Sequence, residues 1–149
     1  AEGWRDVVRP AAETLIGRTM ASAGEVEGRP SARQDRGEFF QTQAIYQPEQ
    51  FKKFMEAVRP FKVKVLAGIL LLRNAKMAEF MNANIPGVCV PQDMIDEMRA
   101  AGDKRALDAG VEIAVRTIKA VRPYCDGVHI MAIKSTERLP EILTKAELG

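Results

Sequence analysis

From Phe39 onward the sequence alternates between short apolar runs and stretches with helical spacing, and nothing else in it restricts the fold so tightly. Phe39-Phe40-Gln41-Thr42-Gln43-Ala44-Ile45-Tyr46 reads as a buried strand rich in β-branched and aromatic residues. Pro48 then opens a helix that runs to Val58, with Phe51, Phe54, Met55 and Val58 spaced along one buried face and Pro60 ending it. Val63–Leu70 is a second strand, almost continuously apolar, as a parallel strand covered on both faces should be. Gly68 near its end lets another backbone or a ligand come close. A helix follows over Asn74–Met81, then a short strand between prolines at Ile85–Pro91, then a helix over Gln92–Ala101 that Gly102 caps. A longer helix over Lys104–Val121, the turn Asp126-Gly127, a strand over Val128–Ile133 and a helix over Leu139–Ala146 complete the order. Strand–helix alternation of this kind implies parallel strands joined by right-handed crossovers. The expected class is α/β, with three strong strands and a short one: part of a barrel, or a small open sheet.

Residues 1–38 do not share this grammar. Trp4–Ile16 has a helical cluster of apolar residues interrupted by Pro10, and residues 21–37 are dominated by Gly, Glu, Arg, Ser and Ala. Arg18, Arg29, Arg33 and Arg36 are scattered among them, as in a solvated tail. The expected organisation is a poorly defined leader over 1–38, disordered in whole or part, and one structured unit over 39–149. A hydrophobic content of 46% with 28% charged residues is globular and excludes the disordered and membrane classes. The net charge of +2 offers no electrostatic case for nucleic acid or an anionic membrane as partner. The longest apolar run is broken by Lys64 and is too short to span a bilayer, and no secretion signal is visible, so the default location is cytoplasmic. Cys89 and Cys125 lack metal or redox spacing and read as two reduced thiols.

No conventional catalytic constellation is present: no P-loop, GxGxxG, HExxH or GxSxG. His129, the only histidine, lies inside a strand and reads as a buried, hydrogen-bonded structural residue. Asp93, Asp96 and Glu97 lie in the first half of a helix, where negative charge suits the dipole, and read as a solvated face, not a metal site. Gln43 is the strongest single candidate. Its carboxamide offers two donors and an acceptor, enough to read the edge of a heterocycle, and the residues alone leave that role and a backbone-bonded buried amide equally open. Phe80 reads as core packing, with an aromatic wall for a flat ligand as the other option.

Four blocks carry a resemblance: Phe39-Phe40-Gln41-Thr42-Gln43, Val65–Leu70, Met81-Asn82-Ala83-Asn84-Ile85-Pro86-Gly87-Val88 and Asp126–Ile133. In order and spacing they resemble the C-terminal part of methylenetetrahydrofolate reductases, over about residues 38–149. The resemblance implies part of a (β/α)8 TIM barrel. It also implies a flavoprotein of one-carbon metabolism and methionine biosynthesis, in which NAD(P)H reduces FAD and the flavin reduces methylenetetrahydrofolate to methyltetrahydrofolate. Carried over by position, Gln43 matches the strand-end glutamine that contacts the folate pterin near the flavin. Phe80 resembles the phenylalanine that stacks on the substrates, and Ile133 falls where an apolar residue approaches the folate. No catalytic residue, cofactor-binding residue or metal ligand is carried over. The family's acid and most of its FAD contacts lie far upstream of the glutamine strand, whereas residues 1–38 do not resemble that region. Ala32, beside Arg33, stands where the family has a lysine near the flavin phosphates, Leu71 where it has a proline, and Lys134-Ser135 where it has glycine-tryptophan. The resulting expectation is a truncated reductase-like chain, inactive alone. The alternative is a non-catalytic interaction module or subunit, whose open sheet edges pair with a second copy or a partner chain.

Overall fold

In the computed structural model, which describes residues 39–148, one parallel sheet forms the centre. It comprises β1 (Phe39–Ala44), β2 (Lys64–Leu70) and β3 (Gly127–Met131), side by side in chain order. Both pairings are parallel. Residues 1–38, with the expected Trp4–Ile16 helix, the scattered arginines and Ala32, lie outside the described residues.

The helices follow from local sequence. α1 (Pro48–Val58) begins with proline, whose missing N–H is one that the first turn leaves unused anyway. Its Phe51 and Val58 are buried, and Phe54 and Met55 pack beside them, as the spacing requires. α2 (Ala75–Asn84) is capped by Asn74, whose side-chain oxygen accepts from the Met77 amide at 2.8 Å. α3 (Gln92–Ala101) ends at Gly102, with φ of 72°. α4 (Ala106–Val121) is the longest, and α5 (Leu139–Lys145) closes the described part. None of the helices among the described residues is long and apolar enough to cross a membrane.

Two cores result. On β2, Val65, Ala67 and Ile69 alternate with the half-buried Leu66 and Leu70 and the buried Gly68, and pack against α1, α4 and α5, whose contributions include Phe51, Val111, Ile118 and Ile142. That period of two places one face of the sheet under helices. The second core sits at the C-terminal ends of β1 and β2, where Tyr46 and Leu72 meet Met81, Ile95, Met98 and Ile113 from α2, α3 and α4. At the other end of the strands Asp126 joins β2 to β3. Its carboxylate accepts from the Val65 amide at 2.9 Å, and its own amide donates to the Val65 carbonyl at 3.0 Å.

The short strand expected at Ile85–Pro91 is not formed. Pro86 and Pro91 remove donors, Gly87 adopts φ of 84°, and no strand among the described residues pairs with the segment. Val88 and Val90 are nonetheless buried. The Asn82 carboxamide supplies the missing ladder, accepting from the Val90 amide at 2.7 Å and donating to the Val90 carbonyl at 2.9 Å. The last strand also ends earlier than expected, at Met131, which leaves Ile133 beyond it.

α4 approaches the chain leaving β2 so closely that a Cβ on Gly110 would lie 1.8 Å from the Leu72 carbonyl oxygen. Helix propensity alone favours alanine over glycine by roughly 1 kcal/mol. Gly110→Ala is expected to reverse that sign and lower stability by about 1–3 kcal/mol, because neither backbone can move without disturbing both cores; urea unfolding measures it.

Candidate functional site

β1 is not a regular strand. Phe39, Phe40 and Gln41 pair with Lys64, Val65 and Leu66, but the next partners are Ala44 and Gly68, so three residues of β1 advance against two of β2. The extra residue makes a bulge at Thr42-Gln43. Thr42 stabilises it chemically. The Gly68 amide donates to the Thr42 hydroxyl oxygen at 3.0 Å, and that hydroxyl donates to the Gln43 carbonyl at 2.8 Å. The ladder resumes with the Ile45 amide on the Gly68 carbonyl at 2.9 Å. Gly68 is required for this geometry, since a Cβ there would sit 2.4 Å from the Thr42 carbonyl oxygen and 2.8 Å from that of Gln43. The close approach expected at Gly68 is therefore made by the β1 backbone.

The bulge brings Gln43 to the wall of a cleft of about 180 Å³ at the C-terminal end of β1, where parallel α/β folds place their ligands. Ile45, Phe51 and Phe54 provide an apolar side, with the two phenyl rings 6.3 Å apart. Thr42, Gln43, Gln47 and Gln50 provide the polar side, and Gly87 and Cys89 bring in the loop after α2. That loop is tied down by the Gln47 amide, which donates to the Cys89 sulfur at 3.1 Å. Among the described residues the lining holds no lysine, arginine, histidine, aspartate or glutamate. Such a surface can match the donors and acceptors of a neutral heterocycle, but it offers no counter-charge to an anion and no carboxylic acid to deliver a proton. Tyr46 is not a reactive group either. It is buried with its hydroxyl donating to the Leu70 carbonyl at 3.0 Å, and burial pushes its pKa well above the usual phenol value.

Gln43 is exposed and lines the cleft, whereas Phe80 and Ile133 do not belong to its lining. Phe80 stands on α2 with 61% of its surface exposed, which excludes the core-packing role that its composition suggested. Ile133 follows β3 and is 58% exposed. Both are large apolar side chains presented to solvent. His129 pairs in register with Gly68, and its neighbours Val128 and Ile130 pack against the helix-covered core. The imidazole therefore faces the opposite side of the sheet, half-buried and without a hydrogen-bond partner among the described residues, not buried and bonded as expected. Asp96 and Glu97 pair with Arg99 and Arg116 on the helical surface. Thr42, Gln47 and Cys89 were not legible as site residues. Only the glycine inside an apolar strand hinted that something crowds that point.

The sequence profile of methylenetetrahydrofolate reductase matches residues 34–147. No curated protein matches the chain.

Gly68→Ala is expected to displace the Thr42-Gln43 backbone and destabilise the fold by about 1–3 kcal/mol, read from chemical unfolding. Tyr46 gives a pH signature. Its pKa is raised in the folded state, so its contribution is complete below about pH 10, where the unfolded chain still carries a neutral phenol, and is lost as pH rises above that value. Thermal midpoints should fall from about pH 10 upward, and Tyr46→Phe should flatten that fall while lowering stability at neutral pH by about 1 kcal/mol through the lost hydrogen bond.

Proposed function

The chain belongs to the methylenetetrahydrofolate reductase family, and on that premise we propose that the Gln43 cleft is the part of a folate site that reads the pterin. The family is one of folate-linked, typically flavin-dependent oxidoreductases built on a TIM barrel, and three adjacent parallel strands with helices over one face fit part of such a barrel. One observation carries the reading: a carboxamide, exposed at the C-terminal end of a parallel strand, lines a cleft whose other polar groups among the described residues are uncharged. The amino-oxo edge of a pterin alternates donors and acceptors, and a glutamine can meet it with one of each. Phe80 and Ile133, exposed on neighbouring units of the fold, are the apolar surfaces proposed to close on the rest of the folate.

The reaction proposed for the family member is reduction of 5,10-methylenetetrahydrofolate to 5-methyltetrahydrofolate in a cytoplasmic setting, with NAD(P)H as reductant and FAD as carrier. The described cleft does not fit FAD. At about 180 Å³ it is smaller than the roughly 300–1,000 Å³ of sites that enclose a whole small molecule, and its described residues present no cation to a diphosphate. No step through the flavin is therefore assigned to these residues, and their role is to bind and orient. Delivery of hydride to the bridging carbon breaks its bond to nitrogen, and that nitrogen must take a proton. Among the described residues no group lining the cleft is a carboxylic acid suited to give it. The 149-residue polypeptide is accordingly proposed to bind reduced folate without turning it over.

A second reading is favoured by the outer edges of β1 and β3, neither of which has a ladder partner among the described residues. In that reading the chain is a non-catalytic module whose edges are covered by a second copy or a partner chain. Light scattering that shows a monomer at every concentration counts against it.

Calorimetric titration with 5-methyltetrahydrofolate tests the first reading. Saturable binding is expected, weakened about tenfold or more in Gln43→Ala, the effect of losing one or two hydrogen bonds. Equal binding by the two proteins overturns the role of Gln43. Purified protein that is yellow and oxidises methyltetrahydrofolate with an artificial acceptor overturns the lack of turnover.

A further inference from the structure

We infer that Thr42 is the positioning residue for Gln43: its hydroxyl, inserted between the Gly68 amide and the Gln43 carbonyl, sets the direction in which the Gln43 carboxamide enters the cleft. The inference rests on the folate reading for the ligand that Gln43 meets, but not for the geometry itself. In an unbroken strand, residues 42 and 43 point to opposite faces of the sheet. Here the extra residue breaks the alternation at this point, between partners Gln41–Leu66 and Ala44–Gly68. A bulge needs its displaced backbone groups satisfied, and one side chain satisfies two of them. The Thr42 oxygen accepts from Gly68 at 3.0 Å and its proton goes to the Gln43 carbonyl at 2.8 Å. A hydroxyl is the group that can do both at once.

Thr42 is not a packing residue in disguise. It is half-buried and belongs to neither hydrophobic core, while Tyr46 just beyond the bulge anchors the second one. The ladder is intact on both sides, through Phe39–Gln41 below and the Ile45 amide above. Removing the hydroxyl therefore leaves β1 docked and frees only the bulge. The predicted consequence is specific: a strand that stays in place with a glutamine that points elsewhere. Thr42 also lines the cleft, but its hydroxyl proton is committed to the Gln43 carbonyl, so its effect on binding is assigned to the placement of Gln43, which the double variant tests.

The test uses Thr42→Val, which keeps the shape without the hydroxyl, Thr42→Ser, which keeps the hydroxyl, Gln43→Ala, and the Thr42→Val/Gln43→Ala double variant. Two quantities are read. The side-chain amide resonances of Gln43, identified by their loss in Gln43→Ala, report its orientation, and titration with 5-methyltetrahydrofolate reports affinity. Thr42→Val should move the Gln43 resonances and weaken binding about tenfold, Thr42→Ser should restore both, and the double variant should bind no worse than Gln43→Ala alone. Gln43 resonances that stay at their wild-type positions in Thr42→Val overturn the inference. So does a serine variant shifted as far as the valine one, or a valine effect that adds in full on top of Gln43→Ala. If no protein binds folate while Thr42→Val still moves the Gln43 resonances, positioning stands and the folate reading falls. If Gln43→Ala weakens binding and Thr42→Val does not, the folate reading stands and positioning falls.

Discussion

Backbone meets backbone at two glycines, and the arrangement around the C-terminal end of β2 depends on those contacts. At Gly68 the carbonyls of Thr42 and Gln43 occupy the space a side chain would need, and at Gly110 the Leu72 carbonyl does the same. The first contact seats β1 on β2 with its bulge, and the second seats α4 on the chain leaving β2. Between them Leu71 turns into the core shared with α1, α4 and α5, while Leu72 turns into the one shared with α2 and α3. A few residues thus divide the molecule into its two cores, and the cleft lies against that division.

Burial, not charge, holds this arrangement. α5 illustrates the point: Ile142 and Ala146 are fully buried against the first core. Around them Arg138 joins Asp108 and Glu141, and Lys145 joins Glu112 and Glu141. Lys145 first, and Arg138 with it, hold the Glu141 carboxyl below its usual range. Apart from Arg138, whose side chain is 20% exposed, these groups are well exposed to water, where screening and side-chain entropy leave each pair little net effect. Their service is orientation of α5 against α4. The same holds for Arg99 with Glu79 and Arg116 with Glu97, which link α2, α3 and α4 along the surface.

The cleft is chemically quiet by construction. Amides, a hydroxyl, a thiol and phenyl rings line it, and the nearest titratable phenol is locked to the Leu70 carbonyl. A surface of this kind discriminates by hydrogen-bond pattern and shape, and its described residues leave proton delivery and anion grip to other groups. The loop from Ile85 to Pro91 adds to it only because Asn82 stands in for an absent strand and holds Val90 in place. Gly87 and Cys89 then reach the cleft from an element far along the chain from Gln43.

Periodicity and punctuation alone determined the order of helices and strong strands, the parallel sense of the sheet and the buried faces of α1 and α4, because these follow from local spacing that any neighbour must respect; the family was legible only through the resemblance of four blocks of residues. Gln43 was visible from local spacing too, as a polar residue at the end of an apolar strand. Tertiary contact alone decided that Thr42 takes a place in the ladder, that Gly68 yields to a backbone rather than a ligand, and that Ile85–Pro91 forms no strand. It also decided that Phe80 is exposed and that His129 turns away from the helix-covered core. Each of these depends on which atoms arrive from elsewhere in the chain, and a missing Cβ or a free hydroxyl does not announce its partner until the strands are side by side.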